Sequence, residues 1–137
     1  MSNQQKVEYS QIELGHQFPQ TSYVLEAALI EAYLKATGET YPAYREEKLV
    51  PPTAVAAYSM AALTEGLELP PGTIHISQEI ESLNPSYVKD TIISHARVSG
   101  KRSRGKFELL TIDIDVTNQK GQSVLAGKTT FLAPTTE

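Results

Sequence analysis

Cysteine is absent from this chain, which excludes a disulfide framework, a thiolate nucleophile and any metal site built on sulfur. Histidine is scarce: His16, His75 and His95 lie far apart and form no pair at metal-ligand spacing. No run approaches the roughly 18 apolar residues of a membrane span, and the opening "MSNQQKVEYSQ" has no apolar segment of the signal-peptide kind. Positive charge is in deficit, with a net charge of −4, so the chain is a poor electrostatic match for nucleic acid or an anionic membrane. No repeat or low-complexity segment interrupts it. These absences predict a soluble, cytoplasmic protein. What remains is ordinary globular composition, 40% apolar and 20% charged over 137 residues, which suits one domain spanning 1–137 with a loose tail over about 1–8.

The pattern along the chain predicts a short strand, two helices and then strands. "QFPQTSYVL" (17–25) reads as a weak strand in which Pro19 marks an edge or entry position. From Glu26 to Thr37 the spacing of Leu25, Ala28, Leu29, Ala32, Tyr33 and Ala36 predicts an amphipathic helix, stopped by Gly38. Pro51-Pro52 opens a second helix running to about Thr64, because proline tolerates the first turn, where its missing N–H would be unpaired anyway. "AVAAYSMAAL" has almost no polar face, so burial on most sides is expected.

Beyond the "LPPG" turn at 69–72, alternation takes over. Ile74, Ile76 and Ile80 share one parity, as do Val88, Ile92, Ala96 and Val98, and Leu110, Ile112, Ile114 and Val116. "SGKRSRGK" and "NQKG" read as hairpin loops. The periodicity supports an α+β class, a helix packed on an antiparallel sheet.

Three segments carry a resemblance: "LVPPTAVAAY", "HISQEIESLNPSYVKDT" and "FELLTIDIDVTNQKGQSVLAGKTTFL". In order and spacing they resemble the MaoC-like dehydratases, especially the branch similar to the N-terminal dehydratase half of fatty-acid-synthase-type proteins. That branch opens its central helix with Ala-Pro-Pro-Thr, here Val50-Pro51-Pro52-Thr53, and carries Gly-Asp-Thr where this chain has Lys89-Asp90-Thr91. The resemblance implies a hot-dog fold: an antiparallel sheet wrapped around a central Ala-rich helix, with a short helix before it. It further implies hydration of an enoyl thioester, or dehydration of an (R)-3-hydroxyacyl thioester, on coenzyme A or an acyl carrier protein. No metal or redox cofactor is implied, and the expected assembly is a homodimer or a heterodimer with a second hot-dog subunit.

Active members carry a Gly-Asp-x-Asn-Pro-x-His motif, whose Asp and His handle the protons. Gly38-Glu39-Thr40-Tyr41-Pro42-Ala43-Tyr44 falls on it, so Glu39 and Tyr44 occupy the dyad positions. A free histidine titrates near pH 6.5 and exchanges protons at neutrality. A tyrosine of ordinary pKa is only roughly 0.1% ionised at pH 7 and makes a poor base, and Glu39 carries its carboxylate on a longer arm.

The glycine N–H that meets the thioester oxygen in single-subunit hydratases falls on Pro52, which has none. The donors then expected are Thr53 and Ala54, at the positive end of the helix dipole. Tyr41, Tyr44 and Tyr58 have two readings, as walls of an acyl tunnel or as core aromatics. Lys101, Arg102, Arg104 and Lys106 likewise read either as a contact for coenzyme A phosphates or an acidic carrier, or as a solvated turn. His75 and His95 read as strand residues without chemistry. Three functions are in play: a non-catalytic acyl-thioester-binding subunit beside a catalytic hot-dog partner, a self-sufficient homodimeric hydratase using Glu39 and Tyr44, or a non-enzymatic acyl-thioester binding module.

Overall fold

The structure, a computed structural model, describes residues 7–135; most of the expected tail lies outside them. Its elements are β1 (Val7–Glu8), β2 (Thr21–Val24), α1 (Ala27–Thr37), α2 (Ala43–Glu46), β3 (Leu49–Val50), α3 (Pro52–Glu65), β4 (Leu67–Glu68), β5 (Ile74–Ser82), β6 (Ser86–Tyr87), β7 (Thr91–Arg104), β8 (Phe107–Thr117) and β9 (Ser123–Pro134). The main sheet is antiparallel in the order β2-β7-β8-β9-β5, with the small pairs β1-β4 and β3-β6 beside it. One wide antiparallel sheet against a central helix is the hot-dog arrangement in the α+β class.

β8 shows why the core sits where it does. Leu110, Ile112, Ile114 and Val116 are buried, as are Ile92, Ala96 and Val98 on β7, the last two directly opposite Ile114 and Ile112. α3 answers this face with Ala54, Val55 and Leu63, also buried. Small residues on the helix let the sheet approach closely. One polar cluster interrupts the apolar contact. Ser59 Oγ donates to Val55 O at 2.9 Å, receives Ser94 Oγ at 3.0 Å and lies 2.8 Å from the Tyr23 hydroxyl.

Several expectations need correcting. Val7 and Glu8, placed in the loose tail, form β1 and pair in parallel with Leu67 and Glu68. The first strand contracts to Thr21–Val24, with Gln17 making a single bridge to Arg97 before Pro19 interrupts. α1 buries Ile30 and Leu34, while Ala28, Leu29, Ala32 and Ala36 of the predicted stripe face outward. The helix is apolar on two sides, and packing selects the bulkier one. Gly38 ends it at φ 69°, as a C′ glycine should.

α3 is buried on one side only. Thr53, Ala57, Ala61 and Thr64 form an exposed stripe, because the sheet covers just the opposite flank. "SGKRSRGK" is not a long loop: β7 runs to Arg104, and the turn is Gly105-Lys106 alone. Lys101 leaves its basic neighbours and turns inward. Its Nζ donates to Ile12 O at 2.7 Å and lies 3.7 Å from Glu108 Oε1.

The largest departure is β5, whose nine residues are all exposed. A bulge between His75 and Ser77 flips the register, so Ile74 opposes Leu132 on the outer face whereas Ile80 opposes Gly127 on the helix face. The three isoleucines therefore share no face, despite their common parity in sequence.

Candidate functional site

A cavity of about 360 Å³ lies between the start of α3 and the segment joining β5 to β6. Pro52 and Val55 of α3, Val124 and Leu125 of β9, Tyr44 of α2 and Leu83 form much of its wall, with Ser82, Asn84 and Ser86 as polar additions. The double proline places it. Pro51, extended at ψ 135°, precedes the helix and Pro52 begins it, which sets the first turn of α3 against β6 through the pairing of Val50 with Ser86.

Only two of the residues singled out from sequence line this cavity, Tyr44 and Pro52. Tyr44 sits half-buried on α2, edge-to-face with the exposed Tyr41 at 5.5 Å between ring centres. Its hydroxyl has no hydrogen-bond partner among the described residues. Glu39 turns its carboxylate back on its own loop, where Oε1 accepts the N–H groups of Thr40 at 3.1 Å and Tyr41 at 3.0 Å. Arg45 pins the same loop, donating from Nη1 to Glu39 O at 3.0 Å and from Nη2 to Glu31 Oε1 at 3.2 Å. Glu39 and Tyr44 make no hydrogen bond to each other.

The helix start is also less open than expected. The Ala54 N–H is taken by Pro51 O at 2.9 Å, so of the two donors predicted there only Thr53 N–H lacks a partner among the described residues. The Thr53 hydroxyl accepts from the Tyr33 hydroxyl at 2.8 Å, tying α1 to the first turn of α3. Tyr58 does not line this cavity. It packs edge-to-face against Tyr23 and Tyr33 and donates to Leu29 O at 3.3 Å. Burial, with Tyr33 adding to it, pushes the Tyr58 hydroxyl above the ordinary tyrosine range, and burial does the same for Tyr23. Neither is a proton donor suited to neutral pH.

Away from the cavity, His75 Nε2 lies 3.1 Å from Ser77 O with its ring 5.1 Å from that of Phe131. Asp90 is taken up structurally, accepting from Tyr87 N at 2.9 Å and from the Gln119 side chain at Nε2 at 3.0 Å. Asn118 closes the "NQKG" turn by accepting from Lys120 N and Gln122 N at 2.9 and 3.1 Å. The polar cavity residues Ser82, Asn84 and Ser86 went unnoticed in the sequence. "ESLNPSY" offers only a proline between strands, and nothing in it tells which side chains turn inward.

The profile of the family described as "FAS1-like, dehydratase domain region" matches residues 13–126. No curated protein matches the chain. Among solved structures, the R-hydratase PhaJ1 from Pseudomonas aeruginosa is 20% identical, with 93% of this chain and 86% of that one covered at a TM-score of 0.76. The MaoC-like dehydratase from Rhodospirillum rubrum is 23% identical over 94% and 97% at 0.74. The HadBC (3R-hydroxyacyl-ACP dehydratase) complex from Mycobacterium tuberculosis is 16% identical over 88% and 96% at 0.71. At such identities the structural likeness is one of fold, and the profile match extends it to family. The chain belongs to the FAS1-like dehydratase-region family, with the hot-dog fold of the MaoC-like hydratases and dehydratases.

Proposed function

We propose that this chain is the acyl-thioester-binding subunit of an (R)-specific enoyl-thioester hydratase/dehydratase, and that a second hot-dog subunit supplies the catalytic Asp and His. The observation that carries the reading is the state of Glu39. The carboxylate at the dyad position is spent on Thr40 and Tyr41 N–H, and the residue five positions on is Tyr44. A carboxylate turned back onto the backbone of its own loop has its reach removed, which is unfavourable for a general base.

The open edge supports a partner. β5 leaves Ile74, Ile76 and Ile80 exposed, and Leu83 just beyond them lines the cavity and is itself exposed. A second subunit packed on that edge would wall the cavity beside Leu83. That one solved structure of similar fold is described as a dehydratase complex agrees with such pairing. The chain's own part is to hold the acyl group against Val55, Val124 and Leu125, with coenzyme A or a carrier protein bearing the thioester outside.

Co-purification from the source cells, followed by hydration of a crotonyl thioester with and without the captured partner, tests this. Turnover should require the partner. Robust turnover by the isolated chain, abolished by Glu39→Gln, overturns it. A self-sufficient homodimer is the second reading, favoured by the unpartnered Tyr44 hydroxyl; it requires the isolated chain to be active and Tyr44→Phe to remove that activity.

A further inference from the structure

The outer face of the main sheet, on the side away from α3, keeps its side chains exposed or half-buried. A solvated face is ordinary for an antiparallel sheet, and its charges need no order beyond neighbouring pairs. Here they have one. Across the register from β7 through β8 and β9 to β5, Arg97, Asp113, Lys128 and Glu79 stand in one row and alternate in sign. Arg97 Nη2 lies 3.4 Å from Asp113 Oδ2, and Ser99 Oγ donates to Asp113 Oδ1 at 2.9 Å, so that carboxylate is held in place. Lys128 stands between two carboxylates in register, yet forms an ion pair with neither among the described residues.

The neighbouring rows are ordered too. On one side, in the same strand order, come His95, Asp115, Ala126 and Glu81. On the other come Gly100, Thr111, Thr130 and Ser77, then Arg102, Leu109, Leu132 and Ile74. A trough of about 470 Å³ lies over Ala126, walled by Asp113 and Asp115 on β8 and by Glu79 and Glu81 on β5.

A two-fold axis along the strands, between β8 and β9, lays β7 of one copy over β5 of another and β8 over β9. Each row then falls on itself in reverse. Arg97 meets Glu79 and Asp113 meets Lys128, each twice by symmetry. His95 brings a ring N–H over Glu81, Thr111 faces Thr130, and Leu109 faces Leu132. An axis at right angles, along the charged row, would set like charge on like. Aligned face-to-face packing suits twisted sheets, and a two-fold contact is the commonest one between identical chains. At roughly 4.8 Å between strands and 3.3 Å per residue, the face measures roughly 500 Å² per copy. That is the size of a weak, concentration-dependent contact.

We infer that this face is a self-complementary docking surface for a second copy of the chain, matched by the order of its charges. The contact leaves the edge of β5 and the cavity at the start of α3 free, and it stands independently of the acyl-thioester reading.

Sedimentation velocity of the full chain over a range of concentrations tests it. The mass should double as concentration rises, and salt should reverse the change, because exposed charges are screened within about 10 Å at 0.1 M. Lys128→Glu sets carboxylate against carboxylate twice and should weaken the association on the order of 100-fold, with the circular dichroism unchanged. Arg97→Glu, Asp113→Lys, Lys128→Glu and Glu79→Lys together reverse the row and restore every pair within and between copies. The reversed chain should associate with itself as the native chain does, but not with a fluorescently labelled native chain. Loss of contact is thereby separated from loss of fold. A mass indifferent to concentration, association indifferent to Lys128→Glu, or a folded reversed chain that fails to self-associate or pairs equally with the native one overturns the inference.

Discussion

β8 and β5 are both long alternating strands of one sheet, and they end up in opposite environments. β8 buries Leu110, Ile112, Ile114 and Val116, whereas β5 buries none of its nine residues. Alternation states that a strand has two chemically different faces. Whether a second layer covers the apolar one depends on how far α3 reaches, and α3 stops short of the sheet edge. A bulge then parts the β5 isoleucines between the two faces. One strand is complete within the chain; the other is apolar surface without a cover.

The strongest way to break this contrast is to delete side chains on each strand. Ile112→Ala should cost about 2–5 kcal/mol of unfolding free energy, the range for a fully buried isoleucine, while Ile76→Ala on β5 should stay within about 0.5 kcal/mol. Chemical denaturation of the isolated chain measures both. Equal losses would mean that β5 is covered after all.

A smaller effect of opposite sign is expected where β6 leads into β7. Lys89 stands at φ 79°, a left-handed backbone that glycine adopts without steric cost. A left-handed residue costs about 1–2 kcal/mol, and glycine returns about 0.5–1 kcal/mol of that in chain entropy. Lys89→Gly should therefore stabilise the fold by about 0.5–1 kcal/mol. On this side stability is gained by relaxing the backbone, and an unchanged denaturation midpoint would refute the strain.

The smallest effect concerns pH. Burial raises the hydroxyls of Tyr9, Tyr23 and Tyr58 above the ordinary tyrosine range, with Glu108 adding to the shift at Tyr9. The neutral form is thus favoured by folding. The stability it contributes is fully present below pH about 10 and is lost as pH rises through the higher folded values. Denaturation midpoints should fall on that alkaline limb, and Tyr23→Phe should flatten it; a midpoint indifferent to pH there would remove the effect.

Much of this fold was legible. The caps of both long helices, the buried parity of β7 and β8 and the turn at Asn118 follow from local chemistry, since proline, glycine and alternating isoleucines constrain the chain wherever they occur. The choice between the two apolar sides of α1 was not, because Ile30 and Leu34 win through packing against distant residues. The same limit applies at the site. Gly38, Pro42 and Tyr44 could be aligned with a known motif, but the turning of Glu39 onto Thr40 and Tyr41 is a rotamer choice that spacing does not encode.

The bulge at His75–Ser77 also governs which chains can share the sheet. A strand laid along the outer side of β5 must skip a residue there or forfeit its hydrogen bonds beyond that point. It must also accommodate the carboxylates of Glu79 and Glu81, which lie on the same strand. A stray segment from a partly unfolded neighbour meets neither demand, so the edge resists indiscriminate pairing. Exposed isoleucines make β5 adhesive, and its irregular backbone and negative charge make it choosy.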